Sequence, residues 1–392
     1  MKIGVNARFL TKPFTGIGQH TRYLFAALAQ QNPQDHFLMV TPENLPEHVQ
    51  SSMPKNVEII VIPEKFPGTA GMRKTYWEQK QVPAFFLQNQ VDLAHFPYPS
   101  NPWRGFSKPT CVTVHDTIPW TLPAYRKSLA SKLYHDRCKN AVKKADHIFT
   151  VSKASQKEIE EICSVPSEKI SISSNAPAPV FFQKLPEDQK KSVLQKYGLD
   201  PLRPYFFYIG GFDERKNVHA ILKVFHEKIA PLFDIDLVLA GGKSLQSGLY
   251  GSYDELTNLA SRTNVEPQKG KIVPIGFVTE EDLPALYQSC FAFLSLSTKE
   301  GCNLPLLEAA VSGAVTVASD LPVHREMVGA TGLFVAPHDE STFSEMVKKL
   351  FTDSNFYREQ KQKFASYRCP FSWGKTAQEV MGIYRKSFTS QP

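Results

Sequence analysis

The sequence is poor in the features that place a protein quickly. No run of 18 apolar residues occurs, so no segment is expected to cross a bilayer as a helix. Arg8 interrupts the first apolar stretch, and no leader peptide is expected. The six cysteines, at 111, 138, 163, 290, 302 and 369, contain no Cys-x-x-Cys pair. A chain of 392 residues can bury a core without disulfides, so reduced thiols and a cytoplasmic setting are expected. No group of His, Cys, Asp and Glu has metal-ligand spacing, and no metal or other cofactor is expected. Asp234-Ile235-Asp236 matches a metal motif but precedes a strand, on the wrong sheet edge for a site. There is no Gly-x-Ser-x-Gly, which disfavours a serine hydrolase. The charge excess is small: 45 Lys and Arg against 38 Asp and Glu, net +7. It does not call for nucleic acid as a partner.

What is present is ordinary globular composition, 42% hydrophobic and 21% charged, with 29 scattered prolines marking many short connections. Short apolar runs alternate with helical patterns. Strands are expected at 2–7, 36–41, 57–62, 92–96, 111–115 and 147–152, and again at 205–210, 236–241, 272–275, 291–295 and 315–318. Apolar runs of this length separated by helices indicate parallel sheets covered on both faces. The break between the series holds Pro177, Pro179, Pro186, Pro201 and Pro204. The expected fold is α/β, with two doubly wound Rossmann-like domains facing across a cleft. They cover 1–180 and 181–371, with a helix at about 372–390 packing back on the first. Such sheets bind ligands at the carboxyl ends of their strands.

Four constellations lie there. Thr15-Gly16-Ile17-Gly18 follows the first strand and opens a helix, where backbone amides and the helix dipole suit an anion. It is a poor dinucleotide fingerprint: Thr21 replaces the third glycine, and Asp35 precedes the second strand instead of ending it. Gly210-Gly211-Phe212-Asp213-Glu214-Arg215-Lys216 places two cations at a helix start, against the dipole, which points to a bound diphosphate. Glu300 and Glu308 lie eight apart, one in a loop and one on the following helix. A carboxylate accepts from two adjacent hydroxyls, as on a ribose or hexose, and the amides of 301–304 would face the same ligand. His115-Asp116 ends a strand of the first domain. A plain turn, a solvated helix start, solvated acids and a structural histidine are the competing readings.

Together these features resemble the retaining nucleotide-sugar glycosyltransferases of the GT-B fold, the glycosyl transferases group 1. The likeness covers nearly the whole chain: residues 1–18, Val114-His115-Asp116, the segment 150–155, Asn175, Gly276-Phe277-Val278 and 319–337. It implies that Lys216, with Arg215 and Gly211 beside it, binds the donor diphosphate, and that Glu308 binds the ribose. Glu300 would hold the transferred sugar with Gly301, Cys302, Asn303 and Leu304. Phe277 and Val278 would contact the base, and Gly16 and Gly18 would approach the diphosphate. His115 would stabilise charge at the anomeric carbon through its ring or its carbonyl. The implied reaction is metal-independent front-face transfer of a hexosyl unit, mannose or glucose in type, to a glycan or lipid-linked acceptor. Three positions depart from the pattern. Phe212 stands where many members carry Arg, and Cys302 and Asn303 replace an aromatic and a glycine, so Asn303 could read a sugar hydroxyl. An epimerase, a phosphorylase or a non-catalytic sugar-nucleotide subunit stays open.

The excess charge has an address. Residues 126–157 hold nine basic and two acidic residues. Leu129, Ala130, Leu133, Tyr134, Cys138, Ala141 and Val142 form the apolar stripe of the helix there. The plain reading is a solvated face. The sharper one is an anionic membrane surface as partner, which would make the protein peripheral on the inner face of a membrane.

Overall fold

The computed structural model describes residues 1–241, 261 and 269–389. They divide into two compact units, Met1–Ala176 with Phe371–Pro392, and Pro177–Pro370. In the first, β1 (Lys2–Asn6), β2 (His36–Thr41), β3 (Val57–Val61), β4 (Leu93–Phe96), β5 (Thr110–Thr113), β6 (His147–Thr150) and β7 (Ile170–Ile172) form one parallel sheet. Its order is β3-β2-β1-β4-β5-β6-β7. In the second, β8 (Tyr205–Ile209), β9 (Asp236–Ala240), β10 (Ile272–Gly276), β11 (Ala292–Ser295), β12 (Thr316–Ser319) and β13 (Leu333–Val335) are also all parallel. Their order is β10-β9-β8-β11-β12-β13.

Helices on both faces explain the continuous apolar runs: β4, β5, β11 and β12 are buried at every residue. Strand order reverses beside β1 and β4 in one sheet and beside β8 and β11 in the other. These are the switch points at which such sheets open a crevice for ligands. The edge strands β7 and β13 went unrecognised in the sequence, because three residues are too few to show a period.

The chain passes between units at Ala176 and Pro177, ahead of the expected 180. The turn Pro179–Phe182 already packs in the second unit, with Phe181 against Tyr287 and its carbonyl accepting from Ser312. The closing helix Trp373–Thr389 belongs to the first unit. It buries Trp373, Ala377, Val380, Met381 and Tyr384, one helical face, in the core that holds Leu24, Phe25 and Leu28. Arg385 is bonded to buried Asp35, Tyr384 to buried His95, and Thr376 donates to the Ser174 carbonyl at 2.9 Å. Asp35 therefore anchors a helix rather than a ribose.

The basic helix Leu129–Lys144 is only half covered. Cys138, Ala141 and Val142 are buried, but Leu129 is 74% exposed and Leu133 48%. The front of the apolar stripe faces outward, next to exposed Lys127 and Lys132.

Helix Gly16–Gln31 begins on Thr15, whose hydroxyl accepts from the Gly18 amide at 3.1 Å. Gly18 is a packing glycine. A Cβ there would lie 2.3 Å from the Lys12 carbonyl oxygen, whereas one at Gly16 would meet nothing within 4 Å. Gly18→Ala should destabilise by about 1–3 kcal/mol through overpacking. Gly16→Ala should be neutral or stabilise by less than about 1 kcal/mol. Urea unfolding of both variants separates the two positions; equal effects would contradict the packing role.

Candidate active site

The sequence candidates fall into two sets. Gly211, Arg215, Lys216, Phe277, Val278, Glu300, Gly301, Cys302, Asn303, Leu304 and Glu308 lie in the second unit, and Gly16, Gly18 and His115 in the first.

In the second unit the two strands at the switch point supply the charged groups. β8 runs into Gly210, Gly211 and the turn Glu214–Lys216; β11 runs into the loop that carries Glu300. Gly241, just past β9, lets the chain approach the loop after β8 closely. Its φ is +145°, and a Cβ there would fall 2.5 Å from the Gly210 carbonyl oxygen. Asn217, at φ +50°, ends the turn and donates to the Pro337 carbonyl at 2.7 Å. The main chain of the two loops is joined where the Thr298 amide donates to the Arg215 carbonyl at 2.8 Å.

Their side chains then meet. Lys216 Nζ lies 2.6 Å from Glu300 Oε1, and Arg215 Nη1 lies 2.6 Å from Glu300 Oε2. Arg215 also donates to the Lys299 carbonyl at 2.9 Å, and its Nε lies 3.4 Å from Asp213. Glu300 is only 6% exposed. Burial alone would raise its carboxyl; the charge of Lys216, then that of Arg215, outweighs burial and holds it down at about 2.

Glu308 has the opposite environment. It sits in helix Leu304–Val311, 3% exposed, and accepts from the Tyr287 hydroxyl at 3.0 Å. Burial pushes its carboxyl up to about 8; the Tyr287 bond opposes this, and the charge of Glu280 adds to it. One loop and the helix that follows thus hold a carboxylate locked by cations and a carboxyl that is protonated at neutral pH. Phe277, just past β10, is half exposed, while Val278 is buried. Phe212 packs near the Tyr208 ring and the Gly241 backbone. Arg203 pairs with Asp234 and Asp236, which confirms strand-entry polarity there.

Two expectations are corrected. Asn303 does not read a ligand hydroxyl: it is 1% exposed and caps its own helix, with Oδ1 facing the Leu306 amide at 3.4 Å. Its backbone amide is directed at Met327 Sδ, 3.4 Å away. Gly18 spends its amide on Thr15, so it adds nothing to an anion cradle. The His115 carbonyl accepts from Ser155 at 3.2 Å. The His115 ring Nε2 donates to the Pro97 carbonyl at 2.8 Å, and burial lowers the ring to about 4. His115 is therefore neutral, with Nδ1 as its lone-pair nitrogen.

Sequence reasoning missed three partners. His20 lies edge-on to His115, centroids 4.7 Å apart, and bonds Asn175 at 2.7 Å. Tyr287 faces Glu308, and His324 faces Asn303. Each sits on an apolar helix face where a polar residue has no periodic signature. The resemblance covers Asn175 and, within 319–337, His324, but assigns neither a partner.

Comparison with known proteins agrees with this geometry. A model of the glycosyl transferases group 1 matches residues 203–353, and one of glycosyltransferase family 4 matches 14–176. The chain belongs to the GT-B glycosyltransferases. It is 28% identical over 284 residues to the serotype-specific mannosyltransferase WbdA of Escherichia coli, covering 70% of this chain and 32% of that one. The chain thus spans about a third of the length of the first curated relatives it matches. It is 28% identical to O-antigen chain mannosyltransferase B of Escherichia coli, covering 70% and 69%. The solved sucrose-phosphate synthase of Thermosynechococcus elongatus superposes with TM-score 0.77 at 16% identity over all of both chains.

The raised Glu308 carboxyl makes a pH prediction. Its contribution to stability is complete below about 4.5, the ordinary value, and is lost as pH rises through about 8. The Glu308→Gln glycosyltransferase should therefore gain thermal stability over wild type between pH 5 and pH 9. Parallel melting curves across that range would contradict it.

Proposed function

We propose that this glycosyltransferase moves a hexosyl unit, mannose or glucose in type, from a nucleotide-diphospho-sugar to a glycan or lipid-linked acceptor, with retention at the anomeric carbon. The observation that carries the reading is the pairing of Lys216 and Arg215 with Glu300 at the switch point. The two cations stabilise the departing diphosphate, so charge neutralisation is assigned to the protein and needs no resident metal. Glu308 accepts the ribose hydroxyls, Glu300 positions the sugar, and the half-exposed Phe277 faces the base. The mannose preference rests on the names of the curated relatives, mannosyltransferases of O-antigen chains.

A carboxylate neutralised by two cations is a weak nucleophile, which favours direct front-face displacement over a covalent intermediate. In that step the bond from the anomeric carbon to the phosphate oxygen breaks, and a bond to the acceptor oxygen forms on the same face. The acceptor proton goes to the leaving phosphate oxygen. An epimerase would alter the sugar without acceptor, and a phosphorylase would need free phosphate; product analysis separates both from transfer.

Among the described residues no helix is long and apolar enough to cross a membrane. We assign the outward Leu129 and Leu133, with Lys127 and Lys132 beside them, to an anionic lipid surface, which fits a peripheral protein with a lipid-linked acceptor.

Two outcomes are expected. Lys216→Ala and Glu308→Ala should each lower kcat/KM for the donor by about tenfold or more, as loss of a charged hydrogen bond does at the first and of buried ligand hydrogen bonds at the second. Normal transfer in both would sink the assignment. Wild type should sediment with anionic vesicles at low salt and be released at high salt, and Leu129→Ser with Leu133→Ser should abolish this. Equal sedimentation with neutral vesicles would rule out the lipid surface.

A further inference from the structure

Asn303 replaces the glycine usual inside the Glu-x7-Glu loop, and the structure shows what the extra side chain touches. The loop leaves β11 at Ser295, carries Glu300 and ends at Asn303, where the helix begins. Asn303 Nδ2 lies 2.9 Å from Ser295 Oγ and 3.1 Å from His324 Nε2. His324 stands on helix Pro322–Val328, which also presents Met327 Sδ to the Asn303 amide. The other imidazole nitrogen, Nδ1, lies 2.7 Å from the carbonyl oxygen of Ser319, the last residue of β12. Ser319 Oγ in turn donates to the Ser297 carbonyl at 2.5 Å.

The protonation of this chain is fixed by its ends. A carbonyl only accepts, so His324 Nδ1 carries the hydrogen and Nε2 is a lone pair. Asn303 then donates one amide hydrogen to His324 and one to Ser295, and its oxygen caps the helix. Both side chains are buried, His324 completely, and burial lowers the His324 ring and favours this neutral form. Buried, satisfied networks of this kind rigidify what they hold.

The geometry points to His324 as a positioning residue for Glu300. Through Asn303 it fixes the far end of the Glu300 loop, while Lys216 and Arg215 fix the carboxylate itself. Glycine at 303 needs no such support; asparagine does, because its amide would otherwise be buried without an acceptor. The pair 303 and 324 therefore acts as a unit. It sets how the transferred sugar is held and leaves nucleotide binding, which belongs to Lys216 and Glu308, untouched. This inference rests on the donor-site reading proposed above.

The test is a set of variants of the full chain: His324→Leu, His324→Gln, Asn303→Asp and the double variant His324→Leu with Asn303→Asp. Steady-state transfer is measured with the donor found active for wild type, and nucleoside diphosphate binding by calorimetry. Asn303→Asp is isosteric and keeps the helix cap but cannot donate to His324 Nε2. His324→Gln can donate and accept as the imidazole does. His324→Leu and Asn303→Asp should each lower kcat roughly tenfold, as one buried hydrogen bond left unmade does. The double variant should lose no more than either single. His324→Gln should keep kcat within about threefold of wild type. Nucleoside diphosphate affinity should be unchanged throughout. Wild-type kcat in Asn303→Asp overturns the inference even if His324→Leu fails to fold. So do additive losses, a failure of glutamine to substitute, or a parallel loss of nucleotide affinity. If wild type transfers no sugar from any donor, the proposed function itself fails, and the positioning role falls with it.

Discussion

The second unit is organised around one interaction, the clamp of two cations on a buried carboxylate. Lys216 and Arg215 come from the loop after β8, and Glu300 from the loop after β11. Those strands are neighbours only because strand order reverses between them. Three charges buried together are costly unless each is paired, and removal of any one leaves the others uncompensated. The loops must therefore keep their register. The Thr298 amide on the Arg215 carbonyl and the asparagine cap at 303 serve that register. The two cations are thus held in place by the protein itself.

The second carboxyl makes sense beside the first. Among the described residues Glu308 has no cation partner, and it is buried beside Tyr287, where the neutral acid is favoured. Pairs of titratable groups pushed apart by environment divide labour. One stays charged and fixed; the other is held toward its neutral form. The eight-residue spacing matters because it carries the chain from the switch-point loop, past a helix cap, onto a buried helix face.

Much of this was legible in the sequence. Continuous apolar strands set off by helical patterns gave two parallel sheets, and cations opposing a helix dipole marked a charged loop at the switch point. The return of the last helix showed in the spacing of Trp373, Val380 and Tyr384. What was not legible has a common cause. Asn303 read as a ligand group because its type is polar; only three-dimensional neighbours reveal that His324 and Ser295 use up its amide. Gly18 read as an anion contact, yet it is glycine because the Lys12 carbonyl leaves no space. Leu129 and Leu133 fall on the helix's apolar stripe, but periodicity does not say which stretch of a stripe finds a partner. Asp35 looked like a misplaced ribose acid and is an internal anchor for Arg385.

The central claim is that the two carboxyl groups of one loop and the helix that follows it are held in opposite states. Carbon-13 labelling of glutamate side-chain carboxyls, with assignment by the spectra of Glu300→Gln and Glu308→Gln, reads both in one titration of the ligand-free protein. The account predicts that the Glu308 resonance titrates near 8, and that the Glu300 resonance stays ionised down to about 2 or until the protein unfolds in acid. Two resonances titrating together near 4.5, the ordinary value, would contradict it.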